Sequence, residues 1–218
     1  MMEWEWIHRT EAFLQQSFAE SRWLADKSDA RSYRLEHSYR VANIGWQLAR
    51  AEGFNETDMV IACLLHDISY CEEFGEDGWM RHGVRSAQLS RPFLQELGLE
   101  ETRIREICCG IAIHVDGGLR YPGEITPFAL SVGDADNIDR FDVSRLHETL
   151  CREEFLQMPL GQKTKTAEER LGRLRALLSE RMATESAQKL WEARLSFSID
   201  FYTRLLVQLK WSEHIVKP

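Results

Sequence analysis

The segment TDMVIACLLHD, residues 57–67, sets an unbroken apolar run, Val60–Leu65, directly before a histidine and an aspartate, His66 and Asp67. Thr57 is a good N-cap, and the helical reading extends from there to about Ser69. Helical periodicity continues on both sides of this segment, and no convincing alternating strand is present. Upstream, the pattern predicts a first helix over about 3–27 and a second over 32–52, stopped by Gly53. Downstream, CEEFGEDGWM (71–80) is glycine-rich, acidic and aperiodic, which is loop chemistry. A fourth helix is expected from Arg81 to Leu97, closed by Gly98, and a fifth over about 100–114. The turn-rich stretch DGGLRYPGE (116–124) follows, and Thr126-Pro127 opens a sixth helix with proline in its favoured first turn. The remainder reads as three more helices. Thr166 and Glu169 form a capping box there, and Leu190, Phe197, Phe201 and Leu205 line the last helix. The expectation is an all-α chain. Residues 1–30 form a helix packed on a core, 31–142 are that core, and 143–218 are a helical extension of the same domain.

Polar residues occupy positions where this pattern calls for apolar ones. Val41, Ile44 and Leu48 sit at core spacing, and four residues before Val41 stands His37. Leu89, Phe93 and Leu97 trace back through Ser86 to His82. Ile104, Ile107 and Ile111 lead to His114, and Leu130 and Ile138 flank Asp134. Each side chain therefore points inward near a helix end. Six buried polar groups without partners would each cost roughly 2–7 kcal/mol on transfer scales. One shared cation satisfies them together, and imidazole and carboxylate suit divalent first-row metals. Neighbours on a helix project about 100° apart, so His66 and Asp67 reach one ion only if it lies off the helix end. The expected ligands are His37, His66, Asp67 and Asp134.

Bulk properties exclude several classes. The 218 residues are 44% hydrophobic and 28% charged, an ordinary globular balance. The formal charge of −8 disfavours nucleic acid. No run approaches the roughly 20 apolar residues that span a bilayer, so no membrane association is expected. The start, MMEWEWIHRTEAF, lacks the apolar segment of a secretion signal. The five cysteines form no CxxC pair, and an odd count fits reduced thiols in a cytoplasmic protein. A glycine-rich phosphate loop, a serine elbow and HExxH are all absent.

The order His37, His66-Asp67, Asp134 resembles the H…HD…D signature of the HD-domain phosphohydrolase superfamily. The matching text is HSYRVA (37–42), LLHDI (64–68), RHGVRSA (81–87) and GDADNIDR (133–140). The likeness covers about residues 30–142, and the last third matches no recognised pattern. It is strongest to the small single-domain bacterial branch that includes nucleotide pyrophosphohydrolases, since the GYP motif of the cyclic-dinucleotide branch is absent. The resemblance implies a core of five to six helices. It also implies one or two divalent ions (Mn²⁺, Mg²⁺, Co²⁺ or Fe²⁺) and hydrolysis of a phosphoester or phosphoanhydride. His37, His66, Asp67 and Asp134 correspond to the family's metal ligands. His82 and His114 match additional histidines that either complete a second metal site or face the phosphate, and they are expected to be catalytic.

Arg40, Arg81 and Arg85 are the expected phosphate contacts, because guanidinium groups grip phosphate bidentately. Glu72, Glu73 and Asp77 follow the dyad, and Phe74, Trp79 and Tyr121 are aromatic members of the two loops. The expected partner is a small phosphorylated substrate, in particular a nucleotide, and the helical extension offers surfaces for a homodimer. Two other readings use the same residues. Four histidines and two aspartates also hold two irons in HD-fold oxygenases, and an intact fold can serve as a noncatalytic nucleotide-binding regulator.

Overall fold

A computed structural model describes residues 3–75, 81–115 and 121–213. Every regular element among them is helical. In chain order they are α1 (Glu3–Ala19), α2 (Ser28–Glu52), α3 (Glu56–Leu65), α4 (His82–Glu96), α5 (Glu101–Ile113), α6 (Pro127–Arg140), α7 (Val143–Arg152), α8 (Leu160–Ala176) and α9 (Glu185–Trp211). Short 3₁₀ turns among the described residues lie at Ile68–Cys71, Phe155–Gln157 and Leu177–Ser179. No helix among the described residues is long and apolar enough to cross a membrane.

The chain divides into two compact units, one of Met1–Asp139 with Ala183–Ala187 and one of Arg140–Met182 with Gln188–Pro218. In the first, α3 packs against α1, α2 and α5, while α4 lies on α5. That position accounts for the composition of residues 57–67: a helix covered on several sides is apolar on several sides. Met59, Ile61, Leu64 and Leu65 are all buried. Asp58, also buried, is tied to Arg103 of α5 by contacts of 2.6 and 2.9 Å. The cap of α3 is Asn55, whose side chain accepts the Asp58 N–H at 2.9 Å, rather than the expected Thr57, which lies in the first turn. Gly53 and Gly98 both adopt positive φ, 73° and 77°, and terminate α2 and α4 as expected. The first helix is shorter than its periodicity suggests. It stops at Ala19 because Ser21 leaves the helical path, accepting the Leu24 N–H and donating to the Cys71 carbonyl just beyond the dyad.

In the second unit the expected capping box does not exist. Thr166 lies inside α8, which begins at Leu160 after Pro159. The buried stripe of α9 is also rotated from its expected line. Trp191, Leu195, Ser198 and Tyr202 are buried, whereas Phe197 is 45% exposed. The indole of Trp191 sets this rotation, meeting Phe141 edge-on at 5.0 Å and donating to the Leu177 carbonyl at 3.4 Å.

Candidate metal centre

α3 ends at Leu65, and the chain then turns through Asp67 (φ −108°, ψ 14°) into the 3₁₀ turn at Ile68. This break is what lets adjacent residues serve one centre. Four imidazoles and two carboxylates converge on it. Asp67 stands in the middle, its Oδ1 3.2 Å from His82 Nε2 and 3.6 Å from His114 Nε2. Its Oδ2 lies 3.7 Å from His66 Nε2 and 3.8 Å from His37 Nε2. The second carboxylate is Asp136, with Oδ1 3.1 Å from His37 Nε2 and 3.9 Å from His66 Nε2.

Backbone and carboxylate partners orient the rings. His66 Nδ1 donates to the Cys63 carbonyl and His114 Nδ1 to the Ile111 carbonyl, each at 2.7 Å and each within its own last helical turn. His37 Nδ1 meets the Asp139 carboxylate at 2.7 Å, and Arg40 holds the same carboxylate through Nε at 2.8 Å. When each of these rings is neutral with its proton on Nδ1, Nε2 is the lone-pair nitrogen, and it faces inward. His37 and His66 then bring Nε2 to 3.3 Å of each other, and His82 and His114 to 3.0 Å. Without a proton or a cation between them, lone pairs and carboxylates repel at such distances. Ligand atoms about 2.1 Å from a shared cation stand about 3.0–3.4 Å apart, so the spacing fits a metal. Two overlapping triads meet the geometric requirement, His37–His66–Asp136 and His66–Asp67–His114.

The electrostatics point the same way. Burial favours neutral His37, but hydrogen bonds to Asp136 and Asp139 and the nearby charges outweigh it, raising its pKa to about 9. Burial dominates for His66 and lowers it to about 4. For His114, burial is overcome by the hydrogen bond and charge of Asp67, and its pKa rises. Burial would raise the carboxyls of Asp67 and Asp136, yet the histidines around them hold both well below the ordinary range. Two buried anions are thus kept ionised by positive charge among the imidazoles, a role that metal ions fill equally well.

The expected site residues fare differently. His37, His66, Asp67, His82 and His114 meet in one cluster. Asp134 does not join them. Its Oδ2 accepts the Ala183 N–H at 2.8 Å, anchoring the segment Ala183–Ala187, and burial pushes its carboxyl up to about 6. Two residues along α6 is a rotation of about 200°, so Asp134 and Asp136 cannot face the same way. Asp136 takes the position expected of Asp134. The signal for it lay in the pair Asp136 and Asp139, three residues apart and therefore on one face.

Of the expected phosphate contacts, Arg40 is engaged by Asp139, and Arg85 forms a two-pronged pair with Glu72 at 2.7 Å for both contacts. Arg81 is exposed, at the N-terminus of α4. The arginine that reaches the cluster is Arg34, which sequence reasoning missed. Its Nη1 donates to Asp67 Oδ2 at 2.6 Å, and its guanidinium lies 3.3 Å over the Tyr70 ring. Among the loop residues, Phe74 packs edge-on against Tyr70 at 5.0 Å, while Asp77 and Trp79 lie outside the described residues.

Two glycines allow the helices to close around the site. A Cβ on Gly83 of α4 would stand 2.6 Å from the Ala112 carbonyl oxygen, and one on Gly133 of α6 would stand 2.8 Å from that of His114.

Residues 34–140 match the family model of the HD domain. No curated protein matches the chain. Among solved structures, it is similar to a crystal structure of a predicted HD superfamily hydrolase from an uncultured Thermotogales bacterium. The TM-score is 0.61 at 20% identity, with 90% of this chain and 91% of that one covered.

Proposed function

We propose that this chain, which carries an HD domain over residues 34–140, is a metal-dependent phosphohydrolase acting on a small phosphorylated molecule, in particular a nucleotide. The observation that carries this reading is the convergence of four imidazole Nε2 atoms on the two ionised carboxylates Asp67 and Asp136. His37, His66, Asp136 and Asp67 would hold one divalent ion. Asp67 Oδ1 with His82 and His114 would hold a second or, in its absence, face the phosphate. When bound, such an ion lowers the pKa of a coordinated water and polarises a phosphoryl oxygen.

The remaining work falls to this chain's own side chains. Asp67 presents one oxygen to each half of the centre and so keeps the halves in register. Asp139 and Arg40 fix the ring of His37 so that Nε2 faces inward. Arg34 sits on Tyr70 beside the dyad with Nη1 on Asp67 Oδ2, and its remaining N–H groups can donate to a phosphoryl oxygen. Arg81, on the exposed start of α4, would serve as a second phosphate contact.

The test is hydrolysis of nucleoside phosphates and bis(p-nitrophenyl) phosphate by protein reconstituted with Mn²⁺, Mg²⁺, Co²⁺ or Fe²⁺, alongside elemental analysis. Phosphate or nitrophenolate release that a chelator abolishes is expected. Protein that binds metal yet turns over none of these substrates would defeat the hydrolase reading. The same six ligands suit a di-iron oxygenase. Two irons per chain with visible absorption and oxygen uptake would favour that reading instead.

A further inference from the structure

The second unit carries a half-open hollow of about 500 Å³ between α7, α8, α9 and the end of α6, in the size range of small-molecule sites. Most of its wall is apolar, with Leu146 and Leu174 among the contributors, yet four arginines open onto it: Arg140, Arg145, Arg170 and Arg173. In a chain of net charge −8 this is a local reversal of sign. The charges are only partly balanced inside the unit. Arg170 is paired with Glu153, and the one acid on the wall, Asp142, is taken by Arg194 at 2.6 Å. Arg145 stands 3.7 Å from Glu148. Among the described residues, neither Arg140 nor Arg173 has an ion pair.

Gathering guanidinium groups around one apolar hollow raises the local positive potential, which an entering anion relieves; Arg140 and Arg173 are exposed at its rim, where a ligand reaches them. Guanidinium forks match phosphate geometry, and two uncompensated cations balance the near −2 charge of a phosphate monoester. The apolar wall has no use for a bare inorganic ion. We infer that the second unit carries a binding site for a soluble organic phosphate monoester with an apolar body, its phosphate held by Arg140 and Arg173 and its body on the leucine wall. The site uses no residue of the metal cluster.

Decyl phosphate, titrated calorimetrically below its micellar concentration into the chelator-treated full chain, is the probe. Saturable binding at one site per chain is expected. Decanol and inorganic phosphate should each bind about tenfold or more weakly. Arg140→Glu and Arg173→Glu, both surface charge reversals, should each weaken decyl phosphate by about tenfold or more with the melting temperature unchanged. His66→Ala should bind as the parent does, which separates this site from the metal centre. Equal binding of decyltrimethylammonium, indifference to both charge reversals, or loss of binding in His66→Ala would overturn the assignment. A lipid headgroup carries the same phosphate, so vesicles of phosphatidylcholine with phosphatidic acid form the last arm. The protein should not sediment with them. Sedimentation that Arg140→Glu abolishes would refute a soluble ligand.

Discussion

Asp67 is the residue on which the centre turns. It is buried, it touches four imidazoles and one guanidinium, and both its oxygens are used. Asp134 and Asp136, two residues apart on α6, give the sharpest residue-scale comparison. Asp136→Ala removes a carboxylate from the cluster, and we expect bound metal to fall, measured by elemental analysis after dialysis. Asp134→Ala removes only the anchor of Ala183, with metal content kept and stability lowered by about 1–3 kcal/mol in denaturant melts. The reverse result, metal lost with Asp134 and kept with Asp136, would reject the ligand assignment made from the geometry. Asp139 acts through His37. Asp139→Asn should weaken metal binding about 10- to 100-fold in chelator competition, because the imidazole loses its orienting anion and Arg40 its partner. A purely structural role would instead lower the melting temperature at unchanged metal affinity.

At the scale of elements, the site depends on how closely α4 and α6 approach α5. Gly83 and Gly133 face backbone carbonyls across those contacts, and backbone has no rotamer by which to yield. Gly133→Ala should therefore force α6 outward and cost about 1–3 kcal/mol, with Asp136 drawn from the cluster and metal content reduced. Unchanged stability and stoichiometry would show the contact to be soft. The Asp58–Arg103 pair between α3 and α5 is a second element-scale device, with Asp58 buried and Arg103 lying 4.8 Å over the Trp6 ring. Asp58→Ala removes the buried carboxylate that Arg103 grips and should cost about 1–3 kcal/mol, whereas Asp58→Leu combined with Arg103→Met should recover most of that loss. Equal losses in the single and double variants, read from urea midpoints, would mean the pair contributes packing rather than charge.

For the molecule as a whole, the centre is a store of like charge that a cation relieves. Metal should therefore stabilise the native chain by mass action, about 2.7 kcal/mol at a free concentration one hundred times Kd. A chelator should lower the melting temperature, and adding back Mn²⁺ should restore it in proportion to the logarithm of its concentration. A melting temperature indifferent to both would leave the imidazolium protons and the Arg34 guanidinium to compensate Asp67 and Asp136.

The helices, the inward histidines and the dyad at a helix end were all legible along the chain. Each rests on local periodicity, which a side chain four residues away reports as faithfully as a neighbour across the core. Elements that depend on a distant partner were not legible in this way: Ser21 bonded to Cys71 shortens α1, and Trp191 against Phe141 turns the stripe of α9. The choice between the two acids of α6, and among arginines long enough to face several ways, was likewise settled only in three dimensions. On a helix a two-residue step is half a turn, so the rotation of α6 against its neighbours decides which carboxylate enters the centre. Sequence alone determined that this is an all-helical chain with imidazoles and acids aimed at a common interior. Tertiary packing alone decided that Asp136, Asp139 and Arg34 complete that cluster while Asp134 secures the backbone at Ala183, because helix rotation is set by contacts between residues far apart in the chain.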